Sequence, residues 1–370
     1  MMKFAPKTIL FLILLLGAWW IQGCSRVPQA EMSREEQTGT EHSPVQIGLS
    51  FDSFVIERWT RDRDVFVSTA QQLGAEVNVQ NANGVVEEQI AQIQYFISKN
   101  VDVIVVIAID ADALGDVIAQ AKAEGIRVVC YDRLIRNAGA DLYISFDNEM
   151  VGRLMGEALR KALPDGGDIF AIYGSQSDYN VEQVIRGLNE ALEGSGLDII
   201  YSAYCRNWLA ELAFDAVSEG LEQYAHVDGI MCGNDDLASQ AIRALSEHRL
   251  AGSVAVVAQD AELSACQRIV EGTQEMTVYK PVDELAKKAA QLSVQLGEAR
   301  GNALAGEQLQ NMTGGEEIFD GKENVPYYRI EPKAVTKDNL DEEIIDSGFH
   351  RREDVYLNVS ASPGESADEK

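Results

Sequence analysis

The sequence predicts an α/β protein built from two doubly wound parallel-sheet lobes. From residue 45 onwards, short runs rich in β-branched residues alternate with helix-like segments almost without interruption, which is typical of parallel strands joined by crossover helices. Apolar residues make up 46% of the 370 residues and charged residues 24%, so a sizeable packed core is possible. The strands are too many for one small sheet, whereas two sheets of about five or six strands fit the length.

Each predicted strand is a short apolar run that stops at a polar or turn residue. The strands are predicted at residues 45–51, 75–80, 101–108, 126–131, 142–146, 168–173, 197–204, 228–232, 254–258, 276–279 and 327–332. The segments between most of them are predicted to be helical, and right-handed crossovers would then make each sheet a compact unit. These helices are predicted at residues 58–73, 86–98, 111–124, 148–163, 180–193, 209–220, 236–246, 263–271 and 283–297.

The N-terminal 44 residues are predicted to lie outside the folded body. A basic start and a short apolar run precede Cys24, so residues 1–23 are predicted to be a secretory signal peptide, too short to be a comfortable membrane span. The sequence Ile21-Gln22-Gly23-Cys24 resembles a bacterial lipobox, in which Cys24 is lipidated; ordinary signal-peptidase cleavage nearby is the alternative. Residues 24–44 are polar and are predicted to be a lipid-anchored flexible linker.

The overall composition excludes several classes of function. The net charge is −28, with 59 acidic against 31 basic residues, which argues against binding nucleic acid through its phosphates. The cysteines at 130, 205, 232 and 266 lie in or beside apolar runs without CxxC spacing, so they are predicted to be buried thiols. The histidines show no metal-ligand spacing and no cofactor motif occurs, so neither a metal nor a cofactor is predicted.

Polar side chains follow the ends of many predicted strands, where open α/β sheets bind their ligands. They include Asp52, Asp132 with Arg133, Asp178 with Asn180, Asn234, Asp260 and Lys280, and two tryptophans, Trp59 beside Arg58 and Trp208. For any single Asp or Asn, helix capping is an equally good interpretation. Together they supply carboxylates that accept hydrogen bonds from hydroxyl groups, cations and amides that donate hydrogen bonds to oxygens, and indoles that can cover flat C–H faces. This combination favours a carbohydrate ligand.

An enzyme is the weaker interpretation. A glycosidase could work with two carboxylates, and Asp52, Asp132, Asp178 and Asp260 are candidates. Arg133 is adjacent to Asp132, however, and a neighbouring cation lowers the pKa of a carboxyl group, which disfavours a general acid there. The sequence therefore predicts a binding protein.

Several motifs closely resemble the periplasmic D-xylose-binding proteins of sugar ABC transporters, over roughly residues 45–351. The motifs are Glu57-Arg58-Trp59 with Arg61-Asp62-Arg63-Asp64, Gln80-Asn81-Ala82-Asn83-Gly84, Tyr131-Asp132-Arg133, Tyr143-Ile144-Ser145-Phe146-Asp147-Asn148-Glu149, Gln259-Asp260-Ala261, Gly272-Thr273-Gln274, Met276-Thr277-Val278-Tyr279-Lys280-Pro281 and Gly348-Phe349-His350. The resemblance implies a type I periplasmic binding protein, in which two lobes are joined by a three-segment hinge. Two residues depart from the pattern of the family that the sequence resembles: Tyr179 stands where a smaller polar residue is usual, and Asn207 stands where glycine is usual.

The resemblance also implies the domain bounds and the sugar contacts. The N-terminal lobe would comprise residues 45–146 and 280–325, the C-terminal lobe residues 147–279 and 326–351, and residues 352–370 would be an acidic disordered tail. The sugar contacts would be Arg58, Trp59, Asp132, Arg133, Asp178, Asn180, Trp208, Asn234, Asp260 and Lys280.

The implied function is an exported, lipid-anchored and monomeric solute-binding protein on the outer face of the cytoplasmic membrane or in the periplasm. It would capture a monosaccharide, D-xylose or a related pentose or hexose, between its lobes and deliver it to a membrane ABC permease. The alternative is a sugar-sensing subunit that signals to a membrane histidine kinase or chemoreceptor.

Overall fold

A computed structural model of the chain describes residues 43–300 and 306–359. Its strands are β1 (Gln46–Phe51), β2 (Glu76–Asn81), β3 (Val103–Val106), β4 (Arg127–Tyr131), β5 (Leu142–Phe146), β6 (Gly167–Tyr173), β7 (Leu197–Tyr204), β8 (Gly229–Cys232), β9 (Ala255–Gln259), β10 (Met276–Tyr279), β11 (Glu317–Phe319), β12 (Asn324–Ile330) and β13 (Lys333–Thr336). Its α-helices are α1 (Arg58–Gln72), α2 (Val86–Ser98), α3 (Gly115–Ala123), α4 (Asn148–Ala162), α5 (Tyr179–Leu192), α6 (Glu211–Gln223), α7 (Asp235–Glu247), α8 (Leu263–Glu271), α9 (Val282–Glu298), α10 (Gly306–Thr313) and α11 (Arg352–Val355).

The strands form two sheets, and each sheet is the centre of one lobe. The first lobe contains a seven-stranded sheet in the order β11-β12-β5-β4-β3-β1-β2, and the second lobe a six-stranded sheet in the order β13-β10-β9-β8-β6-β7. All strand pairs are parallel except β11 with β12 and β13 with β10, which are antiparallel edges. The predicted fold class is confirmed.

The sequence dictates this arrangement through burial on both faces of each sheet. Every residue of β3 and of β9 is buried, as expected of parallel strands covered by helices on both sides. Helix α4 shows the complementary pattern, since Val151, Met155 and Leu159 recur at helical spacing and are fully buried. The four cysteines named above are buried and free, as predicted.

The chain passes between the two sheets three times. It leaves the first sheet after β5 to begin β6, returns after β10 through α9 and β12, and crosses again from β12 to β13. These crossings bring the carboxyl ends of β4 and β5 in one sheet towards those of β6, β8 and β9 in the other.

Two details of the predicted organisation are wrong. Strand β12 pairs in parallel with β5, Tyr327 opposite Tyr143, so residues 326–330 belong to the sheet of the first lobe and not to the C-terminal lobe. The first sheet consequently has seven strands where five or six were expected. The edge strands β11 and β13, which are three and four residues long, were not predicted because such short runs carry no readable alternation.

The predicted disordered tail is also wrong for its first part. Residues 352–355 form α11, whose Val355 is buried in a cluster with Cys266 and Ile269 of α8. Gln267 Nε2 donates to the backbone oxygen of Asp354 at 2.8 Å. Helix α11 was not predictable from this polar segment, because it packs on the protein through one buried valine, which gives no periodic apolar pattern.

The predictions for residues 1–42 and 360–370, which include the signal peptide, Cys24 and most of the linker, lie outside the described residues. Within the described ranges, none of the helices is both long enough and apolar enough to cross a membrane.

Candidate functional site

Asp132 follows β4 in a left-handed backbone conformation, with φ of 63°. Hydrogen bonds hold it there: its N–H donates to Ile144 O at 2.8 Å, and its carbonyl oxygen accepts from Ser145 Oγ at 2.6 Å and Tyr143 OH at 3.1 Å. Such a conformation is costly for a non-glycine residue and persists when its surroundings enforce it. The local structure therefore fixes the direction of the Asp132 carboxylate.

That carboxylate is paired with cations and an amide from both lobes. Arg58 Nη1 lies 3.0 Å from Asp132 Oδ2, and Asn180 Nδ2 of the second lobe donates to Asp132 Oδ1 at 3.1 Å. Burial raises the pKa of Asp132, but Arg58, Lys280 and Arg133 outweigh burial, and the net pKa lies below its ordinary value. Asp132 is consequently an ionised acceptor.

Arg58, the first residue of α1, is held by a second carboxylate. Its Nε and Nη2 donate to the two oxygens of Asp62 at 3.2 and 3.0 Å, and Tyr131 OH donates to the same carboxylate. Burial lowers the pKa of Arg58, but Asp132 and Asp62 outweigh it, and the net pKa is raised. Its guanidinium is therefore charged and fixed in orientation.

Arg133 connects the two lobes. Its Nη1 lies 2.8 Å from Asp52 Oδ2 in the first lobe, and its Nε lies 2.7 Å from Asp178 Oδ2 in the second. Burial raises the pKa of both carboxyl groups, and Arg133 offsets only part of that effect. Trp208 Nε1 also donates to Asp178 Oδ2, at 3.2 Å.

Aromatic rings cover these cations. The Arg58 guanidinium lies 4.4 Å from the Trp59 ring centroid and that of Arg133 lies 5.6 Å from it. Phe146 faces both Arg58, at 5.4 Å, and Lys280 Nζ, at 5.7 Å. Trp59 is 1% exposed, and its Nε1 has no hydrogen-bond partner among the described residues.

The remaining polar candidates come from the ends of β8, β9 and β10. Lys280 Nζ lies 2.6 Å from Asp260 Oδ1, and Asp260 has φ of 104°. Asn234 caps α7, since its Oδ1 accepts from Leu237 N at 2.9 Å, while its buried Nδ2 has no partner in the described ranges.

The comparison with known families assigns this architecture. Residues 47–301 match the family model described as a periplasmic binding protein domain. This chain belongs to the periplasmic binding protein family.

Relatives of this periplasmic binding protein are named for sugars. The D-xylose-binding periplasmic protein of Haemophilus influenzae is 42% identical over 317 residues, which cover 84% of this chain and 92% of that protein. The Escherichia coli protein of the same name is 38% identical over 316 residues, with the same two coverages. A solved ABC transporter solute-binding protein from Clostridium phytofermentans with bound β-D-glucose is 27% identical, has a TM-score of 0.73, and is matched over 84% of this chain and 99% of its own.

The binding protein brings its predicted site residues into one region, and all are buried. Direct contacts join Arg58, Trp59, Asp132, Arg133, Asp178, Asn180 and Trp208, and Phe146 connects them to the Lys280–Asp260 pair. Asn234 lies beside this group through its neighbour Gly233, against which the Trp208 ring lies. Helix capping does not exclude a further contact, because one oxygen of Asp178 caps α5 by accepting from Asn180 N at 3.0 Å and the other pairs with Arg133.

Sequence reasoning missed supporting residues. Asp62 could have been found, because it lies four residues after Arg58 on the same helix face. The contacts of Tyr143 and Ser145 with Asp132, and of Phe146 with Arg58, were not predictable, since these three are ordinary strand residues without a local pattern that indicates a partner. No group of acidic, histidine and cysteine side chains in the described ranges could hold a metal ion.

Trp208 lies against glycines that leave room for its ring. A Cβ atom on Gly174 would lie 2.2 Å from Cη2 of Trp208, and one on Gly233 would lie 3.2 Å from its Cζ3. Asn207 and Trp208 both have positive φ, 53° and 58°, a backbone conformation that glycine adopts most readily.

We expect Gly174→Ala to displace the Trp208 indole and to weaken sugar binding by about tenfold or more, because overpacking of this kind costs about 1–3 kcal/mol. Titration calorimetry measures the affinity. Gly194→Ala, at a position with nothing nearby but a positive φ, is the control for general destabilisation and should leave the affinity unchanged. An unchanged affinity in Gly174→Ala would show that the ring does not contact the ligand.

Proposed function

We propose that this chain is an extracytoplasmic solute-binding lipoprotein that captures D-xylose between its lobes and delivers it to a membrane ABC permease. The observation that carries the proposal is the buried cluster in which Asp132, Arg133 and Asp178 join the two lobes at the carboxyl ends of their strands. The relatives named as D-xylose-binding support the choice of sugar.

Each group in the cluster has a role towards a sugar. The carboxylates of Asp132 and Asp260 accept hydrogen bonds from adjacent hydroxyls, while Arg58, Arg133 and Lys280 donate hydrogen bonds to hydroxyl and ring oxygens. The buried donors Trp59 Nε1 and Asn234 Nδ2 have no partner in the described residues, and a hydroxyl oxygen would satisfy them. A ligand without matching hydroxyls leaves such groups unpaired, which costs about 1–3 kcal/mol for each group.

Closure of the lobes would provide the signal of occupancy. Arg133 and Asp132 of the first lobe already touch Asp178 and Asn180 of the second, so a sugar seated among them contacts both lobes at once. A ligand with contacts to both lobes binds the closed form better than the open form and shifts the population towards closure. The closed form is what the permease would engage.

The proposed location is outside the cytoplasmic membrane, anchored through a lipid on Cys24, as a monomer without a cofactor. The relatives are named periplasmic, which supports export. They are named as binding proteins, which supports the absence of an enzyme activity, as does the lowered pKa of Asp132 beside Arg58, which disfavours a general acid there. A solved fructose-binding periplasmic domain of a hybrid two component system is 18% identical and shows the fold alone, so sensing is not favoured.

Titration calorimetry against D-xylose, D-ribose, L-arabinose and D-glucose tests the proposal. We expect one site per chain with the highest affinity for D-xylose, because D-glucose adds a hydroxymethyl group that a closed pentose site excludes. Free D-xylose at about 100 times its dissociation constant should add about 2.7 kcal/mol to the free energy of unfolding. If no sugar in the panel produced heat or a shift in the melting temperature, the proposed ligand class would be wrong.

A further inference from the structure

The rim of the cleft has contacts between the lobes that do not involve the predicted sugar residues. Tyr179 begins α5 in the second lobe, yet its ring packs against the buried apolar cluster of the first lobe that contains Leu134 and Ile135. The ring thus crosses from one lobe to the other immediately beside Asp178.

Arg136 of the first lobe completes this crossing. Its guanidinium carbon lies 5.5 Å from the Tyr179 ring centroid, and its Nη1 lies 3.1 Å from Glu182 Oε1, one turn along α5. Asp112 holds the guanidinium from its own lobe, through Nε at 2.8 Å. The Arg186 guanidinium carbon lies 5.7 Å from the same ring centroid, so two arginines contact Tyr179.

The backbone beside these side chains is also joined across the cleft. Ala111 N donates to Ser177 O at 3.0 Å, and Ser177 Oγ donates to Ile109 O at 2.9 Å. Opening of the cleft would separate the segment at residues 109–112 from that at residues 177–182 and break these bonds together with the Arg136 contacts.

We propose that Tyr179, Arg136 and Glu182 form a latch that stabilises the closed lobes and slows release of the sugar. This inference rests on the proposed function. Interactions made only in the closed form add to its population, and the apparent affinity of a ligand that binds that form rises accordingly.

The contributions should differ among the three residues. The Tyr179 ring packs against apolar side chains and has a cation over its face, and this contact is expected to be stronger than the exposed ion pair. The Arg136 and Glu182 side chains are 32% and 45% exposed, so their ion pair is screened by salt and contributes less. We expect Tyr179→Ser to raise the sugar dissociation rate about tenfold and Glu182→Gln to raise it about threefold at low salt.

Stopped-flow measurement of D-xylose association and dissociation on the full chain tests the latch. The association rate should change by less than about threefold, since a latch acts after the ligand has entered. Tyr179→Phe keeps the ring and should behave as the wild type. Arg136→Gln acts from the first lobe and leaves α5 unchanged, so faster release of the sugar by this variant would separate the latch from any displacement of Asp178 in Tyr179→Ser. Arg153→Gln is the matched control, because its ion pair with Glu190, at 3.0 Å, joins two helices of the second lobe only.

The outcomes distinguish this inference from the proposed function. If the wild type binds no sugar, the proposed function fails. If the wild type binds D-xylose but Tyr179→Ser and Arg136→Gln release it at the wild-type rate, the latch alone is wrong. An effect of Arg153→Gln as large as that of Arg136→Gln, or an effect of Glu182→Gln that persists unchanged in about 1 M salt, would equally overturn the latch.

Discussion

Replacement of Asp132 by asparagine is expected to weaken D-xylose binding about a hundred- to a thousandfold. The variant keeps the volume of the side chain but removes an ionised acceptor that both Arg58, at 3.0 Å, and Asn180, at 3.1 Å, hold in place. Truncation of one partner in a buried, hydrogen-bonded charge pair costs about 2–5 kcal/mol, and each 1.4 kcal/mol is a factor of about ten in affinity.

The fold of this variant should persist. Arg58 retains both hydrogen bonds to Asp62, so the substitution does not leave its buried charge uncompensated. Asp132→Ala, which the strand-end position alone would favour as a binding-only change, removes the whole side-chain carboxyl group, and Asn180 Nδ2 then loses its hydrogen bond to Asp132 Oδ1. Asparagine is therefore the cleaner variant, with an expected loss of about 1–2 kcal/mol in the free energy of unfolding.

Calorimetric titration and urea unfolding of the ligand-free chain separate the two effects. Asp141→Asn is the matched control, because it breaks an ion pair with Arg127, at 2.9 Å, that lies within the first lobe. Neither of these two residues is a proposed sugar contact. It should lower stability without lowering affinity. If Asp132→Asn kept an affinity within about tenfold of the wild type, the carboxylate would be structural and the proposed site would lose its central acceptor.

The sequence predicted which polar side chains come together at the strand ends, because local and global signals agree there. Polar residues that follow buried runs, such as Asp132 after Tyr131 and Asp260 after Gln259, lie at the ligand edge of any parallel sheet. Which polar groups pair across the cleft was not predictable, since Arg133 and Asp178 are 45 positions apart and belong to different sheets. Pairings of this kind depend on how the lobes meet.

The same limit explains the misplaced strand and tail. Whether β12 joins one sheet or the other depends on its match to β5, with Tyr327 OH donating to Phe146 O at 2.7 Å, and no local pattern encodes a partner so far away. The positive φ of Asp260 was not predictable for a related reason. The backbone there is held partly by Thr277, whose Oγ1 accepts a hydrogen bond from Ala261 N at 3.0 Å, and a partner this far along the chain leaves no local turn motif in the sequence.

A buried pair of acids lies close to this strained segment. Asp235 accepts three hydrogen bonds, from Gln274 Nε2 at 2.8 Å, Thr277 Oγ1 at 2.7 Å and Glu262 N at 3.1 Å. Glu262 is 9% exposed, and its Oε1 has no partner among the described residues. Burial, with the charge of Asp235 added, raises the pKa of Glu262 to about 9. Glu262 therefore carries a proton at neutral pH.

This proton makes stability depend on pH with a definite sign. Between the ordinary glutamate pKa of 4.5 and about 9, the folded chain binds a proton at Glu262 that the unfolded chain has released, so the free energy of unfolding falls as the pH rises. Glutamine is neutral at every pH and removes the contribution of Glu262 to that dependence, while Asp235, whose pKa is also raised, still contributes. We expect Glu262→Gln to stabilise the chain by about 1–3 kcal/mol at pH 8 and to have almost no effect near pH 4.5.

Urea unfolding of the ligand-free chain at intervals from pH 4.5 to 8.5 measures this difference. Glu247→Gln, an exposed position on the same lobe, should give a difference from the wild type that stays constant across the range. A gain for Glu262→Gln that is equally large at pH 4.5 would mean that the amide improves packing and that the proton has no part. A loss of stability at pH 8 would mean that the ionised carboxylate is the native form. Replacement of a charged group that has partners by its neutral isostere lowers the free energy of unfolding.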